Sequence, residues 1–265
     1  MIDEGLLFDV EAYFQERLAD NDRFWARLGG RPPLEGAAVL DFACGHGALA
    51  VDLVRHGVRR VLGIDLSGSR IAFARERTSG LAPPDVLEFR AADLHAVDEP
   101  GAFDMIVSRD AMEHVDPLEP VLETMVRLLR PGGTLRLGFS PLYYSPFGDH
   151  GELGRPIPWA HVAAGEQRVL AAFNRTNRSA FKSLKEAGFN MLTPRAFFRA
   201  FAALGCAVDY LNINPAETAG KRAMLRVFDL LRRLAPLEPY CTVSIYIVLR
   251  KPGLSSRPGP PLKPG

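Results

Sequence analysis

The sequence has very little cysteine: Cys44, Cys206 and Cys241 are three among 265 residues, an odd number with no zinc-type spacing. That excludes a disulfide framework and a zinc cluster, and it suits reduced thiols in a cytoplasmic protein. An excess of charge of either sign is also missing. Lys and Arg number 32 against 31 Asp and Glu, leaving a formal net charge of +1. A chain so balanced has no electrostatic need of nucleic acid as a partner. No uncharged apolar run reaches the ~18 residues of a membrane span, so no stable membrane insertion is expected. Met1-Ile2-Asp3-Glu4 has neither the basic nor the apolar start of a secretory leader, and none is expected. What remains is ordinary globular stock, 47% hydrophobic and 24% charged, enough for one large α/β domain with an insertion.

The stretch from Val39 to Ala50 organises the rest. Two apolar residues lead into Asp41, then Phe42-Ala43-Cys44-Gly45-His46-Gly47 forms a small-residue turn, then Ala48-Leu49-Ala50 opens a helix-forming run. This is the pattern of a buried strand, a tight turn and a helix whose first N–H groups are free. Short apolar runs recur at 38–42, 60–64, 86–90, 103–107 and 134–139, separated by helical segments near 47–56, 68–78 and 118–129. Strands alternating with helices predict βαβ units and a parallel sheet, an α/β Rossmann-like doubly wound fold. Asp116 is the expected cap of the 118–129 helix, with Pro117 at its first position, and Pro131-Gly132-Gly133 its expected stop.

After the fifth strand the rhythm breaks. Residues 141–192 hold scattered Pro, Tyr and Trp with a helical stretch at 162–173, and an irregular insertion of this length suggests substrate binding. Thr193-Pro194 reads as cap and first residue of a helix ending at Gly205. A strand near 206–213, an amphipathic helix at 219–234 and a β-branched strand at 242–249 follow. The arginines of that helix suit a solvated face, or contact with an acidic substrate or membrane surface. The expected organisation is therefore an N-terminal helical lid or packing segment at 1–33, a domain at 34–250 and a disordered tail at 251–265.

Asp65 ends the second strand, where a carboxylate can accept hydrogen bonds from both ribose hydroxyls. Asp93 follows the third strand, where it can accept from an adenine amino group. With Asp41, three acids line one crevice, favouring a ligand with an amine, a diol and an adenine over one with phosphates. The residues resemble the class I S-adenosylmethionine-dependent methyltransferases over roughly 35–140. The family's acid-x-Gly-x-Gly-x-Gly signature reads here Asp41-Phe42-Ala43-Cys44-Gly45-His46-Gly47, with Ala43 in the first glycine's place. The likeness continues through Gly63-Ile64-Asp65-Leu66-Ser67, Ala92-Asp93-Leu94, Phe103 to Ser108, Met112-Glu113-His114-Val115 and Leu129-Arg130-Pro131-Gly132-Gly133.

The resemblance implies S-adenosyl-L-methionine as cofactor. Asp41, Gly45 and Gly47 would flank its methionine part, with Ser108 and Arg109 beneath that end. Asp65 would hold the ribose, Leu66 and Asp93 the adenine, and Leu94 would neighbour the adenine through its backbone. It also implies a seven-stranded sheet, mostly parallel, whose last strand is antiparallel. The implied activity is methyl transfer to a small-molecule acceptor through O, N or C; a homodimer is compatible with the sequence. Gly45 to Ala50 also matches the G-x-G-x-x-A of NAD-dependent oxidoreductases, but Asp41 would repel a pyrophosphate there. A non-catalytic cofactor-binding protein is the remaining alternative.

An acceptor that must lose a proton needs a base. His114 follows the fourth strand, and His150 lies among Gly148, Asp149, Gly151 and Glu152. His150 is the stronger candidate, oriented by a carboxylate; His114 suits a structural role as well as a catalytic one. Tyr143, Tyr144, Phe147 and Trp159 fit substrate-pocket walls or the insertion's own core. The acids and histidines of this loop have no standard metal spacing, and no metal is expected.

Overall fold

The computed structural model describes residues 9–154, 157–215 and 219–253. Two helices, α1 (Val10–Ala19) and α2 (Asn21–Arg27), precede the alternating part. Then come β1 (Ala38–Phe42), α3 (Ala48–Arg55), β2 (Arg60–Asp65), α4 (Gly68–Arg77), β3 (Leu87–Ala91), β4 (Phe103–Arg109), α5 (Leu118–Leu128) and β5 (Leu129–Phe139). The insertion carries α6 (Ala160–Ala164) and α7 (Glu166–Thr176). The chain continues with α8 (Pro194–Ala203), β6 (Ala207–Ile213), α9 (Ala219–Leu231), α10 (Glu238–Cys241) and β7 (Ile245–Arg250).

The strands form one seven-stranded sheet in the order β3-β2-β1-β4-β5-β7-β6. The first five are parallel, and β7 runs antiparallel to both neighbours. Side chains alternate between its faces, as strand geometry requires. Leu40, Ile106, Ile245 and Ile247 join Leu122, Met125, Phe197 and Phe201 of α5 and α8 in one core. Val39, Met105, Val107, Tyr246 and Val248 join Phe24, Trp25, Leu49, Leu53 and Ile71 in the other. Between β1 and β4 the winding direction reverses, and the crevice beside the strands' C-terminal ends opens there.

Several local expectations are met in detail. Thr193 Oγ1 accepts from the Ala196 N–H at 3.3 Å with Pro194 opening α8, and Gly205 follows its end with φ 63°. The helix after β4 differs. Its N-cap is Pro117, and the Asp116 carboxylate instead pairs with Lys185 at 3.0 Å, reaching the insertion rather than its own helix. Pro120 sits in the first turn, where a missing N–H leaves no intrahelical bond unmade. At the other end, α5 stops at Leu128 and the Pro131-Gly132-Gly133 run lies within β5, where residues 130–133 bulge opposite Asp104 between the Phe103–Leu129 and Met105–Thr134 pairs. Lys251 Nζ donates to Val126 O at 2.7 Å and Leu129 O at 2.6 Å, capping carbonyls the helix leaves unpaired. The amphipathic helix near 219 ends at Leu231. The N-terminal segment before Asp9 and the expected tail beyond Gly253 lie outside the described residues. Among the described residues no helix is long and apolar enough to cross a membrane.

The first two helices are built into this frame. Phe24 and Trp25 are each 1% exposed, and Trp25 Nε1 donates to Asp52 Oδ2 of α3 at 2.7 Å. Trp25→Ala should lower the unfolding free energy in urea titration by about 3–5 kcal/mol, and a loss below about 1 kcal/mol would show that α2 does not share the core.

Candidate active site

The turn after β1 needs unusual backbone. Ala43, Gly45 and Gly47 have φ of 54°, 54° and 83°, all left-handed. Glycine takes that conformation freely, whereas Ala43 bears a strain of roughly 1 kcal/mol. The two glycines differ in surroundings. A Cβ on Gly47 would meet Ala74 and Phe89 at 3.0 Å, so that residue lets α3 sit against α4 and β3. A Cβ on Gly45 would meet nothing within 4 Å, so the backbone there borders open space.

Asp65 fixes the turn. Its Oδ2 accepts from the Gly45 N–H and its Oδ1 from the Ser67 N–H, both at 2.9 Å, tying the β1 and β2 loops together. Each carboxylate oxygen can accept a further bond. Leu66 beside it is 77% exposed, a large apolar side chain left uncovered at the crevice. Asp93 is exposed and accepts from the His95 N–H at 2.8 Å, while the Leu94 side chain packs away into the core with Leu62 and Ile64.

Asp41 is the unsettled group of the crevice. It is 1% exposed, and its Oδ2 has no hydrogen-bond partner among the described residues. Burial raises its pKa to about 7, Arg109 pulling it down and Asp65 pushing it further up. Arg109 in turn is drawn down to about 10, chiefly by burial and secondarily by the neighbouring Arg17 charge. Its Nη1 donates to Asn21 Oδ1 at 2.8 Å and Arg17 O at 3.2 Å, and the guanidinium lies over the Phe24 ring. Arg17 pairs with Asp110. Asn21 also donates to Ala48 O at the start of α3, and His46 packs edge-on between Tyr13 and Phe73. The helices α1 and α2 thus roof the crevice at the ends of β1 and β4. Ser108 lies fully buried beneath it with its Oγ unpaired among the described residues.

The insertion closes on the other side. Asn190 Nδ2 donates to Met112 O at 2.8 Å and Val115 O at 3.0 Å, joining the insertion to the loop after β4. The rings of His114 and His150 stand 5.0 Å apart, and both pack against Phe189. His114 Nδ1 donates to Gly188 O at 2.8 Å, leaving Nε2 as its acceptor. Burial lowers the His150 pKa to about 4, helped by the His114 ring. The residue is nonetheless exposed, and its ring is uncharged at neutral pH. Asp149 does not orient it. That carboxylate accepts from Leu153 N at 3.1 Å and Gly151 N at 3.4 Å, and lies 3.8 Å from His161 Nδ1.

The four aromatic candidates separate. Tyr143 belongs to the insertion's core with Val169, Leu184 and Phe189, and Tyr144 packs on it. Trp159 Nε1 donates to Tyr240 O at 3.1 Å and its ring packs against Phe228, pinning the insertion to α9 and α10. Phe147 is 48% exposed. Three groups escaped sequence reading: Arg17 and Asn21, whose partners lie far along the chain, and Glu113. The Glu113 carboxyl is 5% exposed with neither oxygen hydrogen-bonded among the described residues, and burial beside Asp110 raises its pKa well above the usual range. Its only sequence signal is its place beside His114.

Residues 39–133 match the family model described as "Methyltransferase domain". The "Ubiquinone biosynthesis O-methyltransferase" of Sinorhizobium medicae is 34% identical over 125 residues, 47% of this chain and 48% of that protein. Over this region the chain is similar to methyltransferase domains, and the sequence likeness covers only part of the chain. It spans about half the length of the curated relatives it matches. Among solved structures, an S-adenosylmethionine dependent methyltransferase from Mesorhizobium loti superposes with TM-score 0.57 at 20% identity, covering 88% of this chain and all of that one. The [4+2]-cyclase SpnF superposes with TM-score 0.56 at 14% identity, covering 89% of this chain and 81% of its own. Both share the fold.

The raised Asp41 pKa makes a stability prediction whose sign is fixed. The folded protein binds this proton more tightly than the unfolded chain, so stability is lost as pH rises from about 4 through 7. Asp41→Asn should gain thermal stability over the wild type steadily between those limits. A difference in melting temperature independent of pH would show that Asp41 titrates normally.

Proposed function

We propose that the protein binds S-adenosylmethionine in the crevice beside the ends of β1, β2 and β4 and transfers its methyl group to a hydroxyl oxygen of a small molecule. Asp41 carries this reading: a buried carboxyl with an unpaired oxygen beside the open backbone of Gly45 calls for a cationic donor, which an ammonium supplies and a phosphate does not. The donor set fits the rest of the cofactor. Asp65 retains acceptor capacity for two ribose hydroxyls, Leu66 offers an uncovered apolar face to the adenine, and Asp93 presents a carboxylate to its amino group. Ser108 and Arg109 would lie beneath the methionine end.

The bound cofactor supplies a methyl group already activated on a sulfonium. The protein therefore has to align the acceptor, exclude water and take the proton the hydroxyl loses. Alignment and exclusion fall to the roof of α1 and α2 and to the insertion anchored by Asn190. Proton acceptance falls to the histidine pair. His150 is uncharged at neutral pH and so free to accept, and the Gly188 carbonyl fixes the His114 tautomer with Nε2 bare. The relative's name supports oxygen as the nucleophile. Fold likeness alone does not settle activity, since a named cyclase shares this architecture.

In calorimetry, Asp65→Asn should weaken S-adenosylhomocysteine binding at least tenfold; unchanged affinity would remove the cofactor assignment. Binding of S-adenosylmethionine by the wild type should tighten as pH rises through about 7, and Asp41→Asn should flatten that dependence. His150→Ala should keep the cofactor affinity while lowering S-adenosylhomocysteine release with a panel of small phenols by 10²-fold or more. Wild-type turnover in that variant would exclude His150 as the base.

A further inference from the structure

A cleft of about 460 Å³ lies away from this crevice, between the outer face of α2, the C-terminal end of β6 and one side of α9. Its walls hold four guanidinium groups, Arg23 and Arg27 from α2 and Arg222 and Arg226 from α9. The carboxylate lining it, Asp229, is taken by Arg232 at 2.9 Å and the Asn214 side chain at 3.3 Å. On the α2 side the charges are held in place. Arg23 lies 3.2 Å from Asp20, and Arg27 reaches the Tyr246 hydroxyl at 3.1 Å with its guanidinium over that ring. Arg222 and Arg226 stand one helical turn apart on the facing wall, both exposed.

Asp20 stands 3.2 Å from Arg23 and 3.9 Å from Arg27, so four guanidinium groups around one concavity share one such carboxylate, an excess of positive charge that a bound anion would balance. Guanidinium forks suit tetrahedral oxyanions because each presents paired N–H donors. We propose that this cleft is a second binding site, for a phosphate or diphosphate group. On the proposed function the crevice beside Asp41 takes a cationic ligand end, so the two sites differ in charge preference. The α9 rim adds information on the rest of the ligand. Beyond Arg226, the helix presents Val227, Leu230 and, past its end, Leu234, which are 54%, 65% and 56% exposed. A phosphate bearing an apolar portion would seat its head among the arginines and its apolar part along this stripe. Such a phosphate occurs in a free phosphorylated small molecule and in a phospholipid headgroup.

The test uses the full chain and two probes. Inorganic pyrophosphate is titrated calorimetrically, and sedimentation is measured with vesicles of phosphatidylcholine alone or mixed with phosphatidylglycerol. The wild type should bind pyrophosphate, and Arg222→Gln/Arg226→Gln should weaken it at least tenfold, while Arg55→Gln and the affinity for S-adenosylhomocysteine stay unchanged. Sedimentation with the phosphatidylglycerol vesicles that pyrophosphate displaces assigns the site to a lipid headgroup; pyrophosphate binding without sedimentation assigns it to a soluble phosphate. Binding of neither probe by the wild type, or equal binding by the double variant, overturns the site.

Discussion

The Asp65 carboxylate holds two loops at once, and the crevice exists because it does. Its two oxygens accept from Gly45 in the first loop and Ser67 in the second, so the glycine turn cannot drift from the end of β2. Hydrogen bonds from backbone N–H groups to a buried carboxylate are charge-assisted and stronger than neutral ones. With that clamp in place, Gly45 keeps its left-handed backbone open to the crevice while Gly47 packs α3 on Phe89. The same carboxylate adds to the repulsion that keeps Asp41 protonated near neutrality. One side chain thus shapes the turn and tunes the acid beneath it.

The roof depends on a second chain of contacts that starts from Arg109. Desolvation of this guanidinium is offset by Asn21, the Arg17 carbonyl and the Phe24 ring rather than by a direct ion pair. Arg17 then takes Asp110, the residue following Arg109. Helices whose inner faces are Phe14, Phe24 and Trp25 are thereby locked to the end of β4 by both apolar packing and polar contacts. Breaking a buried charge's contacts is costly because the charge stays behind. The roof should therefore move as a unit rather than by side-chain flips.

What could be read from the sequence follows from the range of the interactions involved. Alternating apolar runs and turn residues are local, so the strands and the Thr193-Pro194 start of α8 were legible to within a few residues. Asp65 and Asp93 were legible as acids at strand ends, because strand order places such ends side by side. The failures are all long-range. Asp116 looks like a helix cap until Lys185 of the insertion claims it. Pro131-Gly132-Gly133 reads as a stop, yet pairing of Leu129 with Phe103 and the bulge let a strand run through it. Asp149 adjoins His150 in sequence and serves His161 and the loop backbone instead, while the ring beside His150 comes from His114.

Two of the perturbed groups at the site, Asp41 and His150, pull stability in opposite directions. Asp41 is held protonated by folding, so its contribution falls away as pH rises toward about 7. His150 is held neutral by folding, with its pKa near 4, so its contribution falls away as pH drops below the ordinary histidine range. Between about pH 4 and 6.5 the two act in opposite directions, and the buried Asp41 weighs more because the exposed His150 ring is screened by water. Glu113, which burial also raises above the carboxylate range, adds to the Asp41 side, so folding favours the more acidic end of that window. Ligand affinity has no such opposition. A cationic ligand end interacts with Asp41 and a neutral hydroxyl with His150, so lowering the pH weakens both. Acid thus acts on the chemistry of the crevice in one direction only.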